Sequence, residues 1–156
     1  MVDVKAPSEL MRVLEIEFDE LGPSLVRGTI AADERHHQPW GVVHGGLYTT
    51  AIETFATTGA VEAVKDRGQL AVGVTNITDF LRPHRSGRLH VTATAIQQGR
   101  VQQLWQVDIH RPDDDNRARP GAPAERGRLG LTRRAAGRRS ASASLAACAA
   151  RRSPRS

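Results

Sequence analysis

The sequence predicts an α+β fold, with one long helix packed against a curved antiparallel sheet. Three observations carry that reading. Five segments alternate apolar and polar residues with period two. One stretch, residues 45–65, repeats small and apolar residues at helical spacing. Apart from the stretch that holds the helix, the links between successive strands are short and hold Gly, Pro and charged residues, as hairpin turns do.

The elements follow in order. Residues 13–18 and 25–31 read as a strand pair joined by Leu21-Gly22-Pro23-Ser24. Residues 33–42 are polar, contain Pro39 and Gly41, and read as a loop. From Gly45 to about Lys65, Leu47, Ala51, Phe55 and Gly59 mark a helix whose small residues let a sheet close around it. Residues 70–81 form a long strand stopped by Arg82-Pro83. Residues 88–97 and 101–109 form two more, joined through Gln98-Gly99-Arg100.

Charge divides the chain. Residues 1–114 carry a net charge of −4, and residues 115–156 carry +9. The basic balance therefore belongs to the last 42 residues, which lack Val, Ile, Phe, Tyr, Trp, Met and Lys. Such composition predicts a disordered tail, 115–156, behind a domain spanning 1–114, with a marginal Ala-rich helix at 140–152. The body is acidic and the tail has no aromatic interleaving, which argues against nucleic acid as a partner. No run of about 18 apolar residues predicts a membrane span. The N-terminus lacks signal-peptide order, and Cys148 is the single cysteine. These features predict a cytoplasmic protein.

The chemistry concentrates in twenty residues: Gln38, His44-Gly45-Gly46, Glu53 and Thr57. Glu53 and Thr57 are four apart and share one helix face. On a helix of small residues Glu53 is expected to be partly buried, which suits a base or nucleophile. The two glycines open the helix, where backbone N–H groups are unpaired and the dipole is positive. Without side chains there, a carbonyl can approach an N–H closely. His44 sits at the cap position, and Gln38 adds an uncharged donor and acceptor. His36 and His37 are adjacent and point apart, so the histidines do not make a metal site, and no cofactor motif is present. Trp40, Tyr48, Phe80 and Leu81 are candidates to line an acyl pocket. Arg82 and Arg100 are candidates for phosphate contacts.

These residues together resemble the hotdog-fold acyl-CoA thioesterases, in the group that includes the Arthrobacter-type 4-hydroxybenzoyl-CoA, enterobactin-proofreading and PaaI-like enzymes. The likeness spans about residues 10–112 and rests on Val43-His44-Gly45-Gly46, Glu53, Thr57, Gln38 and Leu81-Arg82-Pro83. It implies a central helix wrapped by the sheet, and dimers or tetramers with shared active sites. It also implies hydrolysis of an aromatic or medium-chain acyl-CoA, with CoA as substrate and not cofactor. By carry-over Glu53 is the nucleophile or general base, the Gly45 N–H polarises the carbonyl, Gln38 and His44 serve the carbonyl side, Thr57 assists, and Gly46 lies against substrate. Two other readings compete: a hotdog dehydratase or hydratase, and an inactive hotdog binding protein. The chain departs from the pattern after Pro112. The closing strand of the fold looks absent, replaced by the Arg/Ala-rich tail, as a reading-frame change in a GC-rich gene would produce.

Overall fold

In the computed structural model, which describes residues 7–112 and 125–135, the chain opens with a short helix, α1 (Glu9–Val13). Ser8 caps it by accepting from the Met11 N–H at 3.3 Å. Glu15, at φ 49, ends the turn that follows. The first strand, β1 (Glu17–Leu21), therefore starts later than the alternation from residue 13 suggested. Met11 and Leu14, three apart, turn onto the core as a helical pair.

The remaining elements are β2 (Leu25–Ala32), a 3₁₀ turn at Glu34–His36, α2 (Gly45–Glu62), a 3₁₀ turn at Lys65–Arg67, β3 (Gln69–Phe80), β4 (Gly87–Gln98), β5 (Gln102–His110) and β6 (Glu125–Ala135). The six strands form one antiparallel sheet in the order β1-β2-β4-β5-β6-β3. The sheet packs around α2, as the α+β reading expected. Among the described residues, no helix is long and apolar enough to cross a membrane.

Small residues set how closely α2 fits. A Cβ on Gly59 would lie 2.4 Å from the Trp105 ring, and one on Gly127 would lie 2.5 Å from Ile52. Trp105, Phe55 and Ile52 are fully buried at these contacts. Each such side chain contributes about 1.5–3 kcal/mol of transfer free energy.

The closing strand is present, which corrects the expectation that the tail replaces it and that the domain ends at residue 114. β6 pairs with β5 from Gln102↔Thr132 to Ile109↔Glu125, and with β3 from Gln69↔Ala135 to Phe80↔Glu125. Glu125, Gly127, Leu129 and Leu131 face inward, while Arg126 and Arg128 face solvent. Summing composition over 42 residues hid this alternation, because two leucines and one glycine, with Glu125, suffice where the core has already been filled by α2. A reading-frame change is thus not needed to explain an absent strand. The disorder expected for the rest of the tail, and the Ala-rich helix at 140–152, lie outside the described residues.

Candidate active site

The loop before α2 is fixed by short backbone and side-chain bonds. Asp33 and His36 form a capping box on the 3₁₀ turn, the Asp33 N–H donating to His36 Nδ1 at 3.1 Å. The His44 N–H donates to the His36 carbonyl (2.7 Å), the Val43 N–H to the His84 carbonyl (2.9 Å), and the Gln38 N–H to the Val42 carbonyl (2.7 Å). Gly41 turns the loop at φ 76, a conformation that favours glycine, and its carbonyl accepts from Arg85 Nη1 at 2.8 Å. His37 Nε2 lies 2.5 Å from the Arg85 carbonyl. The loop is therefore tied to the segment after β3, and both histidines of the pair are engaged. Among the described residues, no group of three potential metal ligands exists.

His44 is the N-cap of α2, and its Nδ1 accepts from the Gly46 N–H at 2.8 Å. That bond takes Gly46 out of play. The Gly45 N–H has no acceptor among the described residues and sits at the positive end of an 18-residue helix. Phe80 closes over Gly45, where a Cβ would lie 2.9 Å from its ring. β3 runs antiparallel along this face of α2. Phe80 meets Gly45 and Tyr48, Asn76 Nδ2 donates to the Thr49 carbonyl at 3.0 Å, and Gly73 leaves space beneath Glu53.

Glu53 is exposed in the single chain, contrary to the burial expected of it. The helix has one open stripe, and Glu53 stands on it beside β3, one of the two edge strands of the sheet. Its Oε1 accepts from Thr57 Oγ1 at 3.0 Å. Glu53 is two turns beyond Gly45, an axial rise of about 12 Å. Thr57 draws the carboxylate still further toward the C-terminal end. The two groups of one chain therefore do not meet at one carbonyl carbon, where direct attack needs about 3–3.5 Å.

A cleft of about 330 Å³ opens beside Gly45. It brings together six of the residues expected from sequence: Gln38, Gly45, Tyr48, Phe80, Leu81 and Arg82. His44 and Gly46 line a separate groove with His36, His37 and Thr50. Trp40 is 70% exposed and stands outside the cleft. Arg100 lies on the β4–β5 turn, beyond Gln102, while the Gly45 end of the sheet aligns with Ile109. The strand between them measures roughly 23 Å.

Sequence reasoning missed one group in this cleft. Glu125, at the start of β6, is 1% exposed and lines it. Burial pushes its carboxyl up to about 7 against a backbone hydrogen bond from Leu81 and the charge of Arg111. Burial likewise pushes the Tyr48 hydroxyl up and His84 down. The signal was a lone carboxylate opening an alternating stretch, lost among arginines.

A sequence profile of the Thioesterase superfamily matches residues 41–118, half of the chain. A protein of Mycobacterium tuberculosis named as an esterase is 41% identical over 106 residues, covering 67% of this chain and 74% of its own. Its solved structure superposes with a TM-score of 0.75 at 35% identity, covering 84% of this chain and 100% of that one. The proofreading thioesterase EntH of Cronobacter turicensis is 31% identical over 101 residues, 65% of this chain and 73% of that one. A solved thioesterase from Haemophilus influenzae has a TM-score of 0.72 at 29% identity, covering 84% and 86%. With its helix-in-sheet architecture and this match, the chain belongs to the thioesterase superfamily, a family of hotdog-fold thioester hydrolases.

Proposed function

We propose that the protein is a cytoplasmic acyl-CoA thioesterase that cleaves an aromatic or medium-chain acyl-CoA to free acid and CoA. The observation that carries this reading is the Gly45 N–H, which has no acceptor among the described residues once His44 has taken Gly46 and which stands beside the cleft of Phe80 and Tyr48. The acyl group enters the cleft over Phe80 and Tyr48. Its carbonyl oxygen accepts from the Gly45 N–H, and Gln38 stands on the same side. As negative charge develops on that oxygen, the N–H and the helix dipole stabilise it more than they did the ground state.

Glu53 supplies the attack, either on the carbonyl carbon or through a water whose proton it takes. The thiolate of CoA leaves and takes up a proton; where Glu53 attacked directly, a water then cleaves the acyl–Glu53 anhydride to the free acid and restores the carboxylate. Thr57 holds one oxygen of Glu53 and leaves the other for the reaction. The separation of Glu53 from Gly45 within one chain supports a homodimer in which each site takes Gly45 and Gln38 from one subunit and Glu53 from the other. The open edge of β3 and the exposed Val72, Val74 and Ile77 on that strand support the same assembly, as a dimer or a dimer of dimers. Arg82, on the cleft rim, is the candidate contact for the CoA phosphates. Arg100 serves that role only across a subunit interface.

Free-thiol release from a panel of aryl- and fatty acyl-CoAs tests the reading. Glu53→Ala should lower kcat by about 10²–10⁴-fold with little change in KM. Unchanged kcat in Glu53→Ala rejects the assigned role, and no hydrolysis by the native chain rejects the activity.

A further inference from the structure

Three polar side chains line the otherwise largely apolar cleft. Tyr48 from α2, His84 from the β3–β4 connection and Glu125 from β6 all line it. Tyr48 is 3% exposed and Glu125 is 1% exposed. The Tyr48 hydroxyl, His84 Nε2 and Glu125 Oε2 are buried and have no hydrogen-bond partner among the described residues. Buried polar atoms left unpaired are costly, so three of them on residues that line one cavity mark a place where a ligand can complete the bonding.

We infer that Glu125 is a specificity-determining residue, which selects acyl groups ending in an uncharged hydrogen-bond donor and rejects those ending in a carboxylate. The inference rests on the acyl cleft proposed above. The charged and titratable groups around Glu125 are few. α2 contributes Tyr48, the segment after β3 contributes Arg82 and His84, and the chain after β5 contributes Arg111, whose Nη2 donates to the Pro83 carbonyl at 2.6 Å. Arg111 offsets part of the Glu125 charge but does not line the cleft. His84 is held toward its neutral form by burial. It therefore adds an acceptor, not a cation. A donor such as an amino group meets acceptors on Glu125, His84 and Tyr48, whereas a carboxylate placed beside these three groups meets the like charge of Glu125. Ionisation of Glu125 near neutral pH makes that discrimination steeper as pH rises.

The test is calorimetric binding of three non-hydrolysable phenacyl-CoA thioethers bearing para-amino, para-hydrogen or para-carboxylate. It compares wild type and Glu125→Gln at pH 6 and pH 8. Wild type should bind the amino probe roughly tenfold or more tightly than the carboxylate probe at pH 8, and less selectively at pH 6. Glu125→Gln should reduce the ratio several-fold and remove its pH dependence. Tyr48→Phe, which removes one hydroxyl, should weaken the amino probe without abolishing the pH dependence, and it decides the question if Glu125→Gln does not fold. An unchanged ratio in both variants, preference for the carboxylate probe, or no binding of any probe overturns the inference. Because the readout is binding, failure to hydrolyse acyl-CoA would sink the proposed activity and leave this result standing.

Discussion

Glu125 ties the stability of the protein to pH in a direction opposite to most carboxylates. Its folded-state value of about 7 lies above the model-peptide value of 4.5, so the unfolded chain releases this proton first. The penalty is absent below pH 4, grows between the two values, and reaches about 3 kcal/mol above pH 7. Glu125→Gln should therefore leave the urea midpoint unchanged at pH 4 and raise stability by about 2–3 kcal/mol at pH 8. Equal effects at both pH values would show that the carboxyl ionises as it does in water. Gly59 is the second residue where one atom decides the outcome. Adding a methyl there drives it into Trp105 and Val26, 2.4 and 2.8 Å away. Gly59→Ala should cost about 1–3 kcal/mol in denaturant unfolding despite its better helix propensity, because overpacking outweighs the roughly 1 kcal/mol gained.

At the scale of elements, α2 and β6 depend on each other. α2 fills the interior with side chains on nearly every face, and β6 closes the gap between β5 and β3 with only Leu129 and Leu131 as large apolar inward residues. Leu129→Ala should cost about 2–5 kcal/mol by chemical denaturation. A loss under 1 kcal/mol would mean that β6 is not held in the core. The same pairing explains what the sequence concealed. The helix was legible because its spacing persists over five turns. β1 was misplaced because Leu14, Ile16 and Phe18 alternate across a boundary that Ser8, through its cap, and the backbone at Glu15 set instead. β6 was missed because a strand completing an almost filled core needs little apolar surface of its own.

For the whole molecule, the proposed site draws its two halves from two subunits of the proposed dimer. Gln38→Ala and Glu53→Gln damage opposite halves of it. Each homodimer alone should be nearly inactive, whereas a refolded equimolar mixture should recover about a quarter of native activity, since half the dimers are mixed and each holds one intact site. No recovery on mixing would place both halves in one subunit.

The motif from Gln38 to Thr57 was readable because its parts are close in sequence and need only a loop, a cap and one helix to be arranged. Spacing alone put Glu53 and Thr57 on one face and the glycines at a helix start, and local hydrogen-bond rules did the rest. Three things required the folded chain. His44 consumes the Gly46 N–H and so singles out Gly45. Phe80 and β3 turn the helix face into a cleft, while Trp40 is left in solvent. Glu125 arrives from 80 residues beyond Gly45 to line the cleft. These are contacts between segments distant in sequence, fixed by strand pairing and core volume, and no local pattern encodes them.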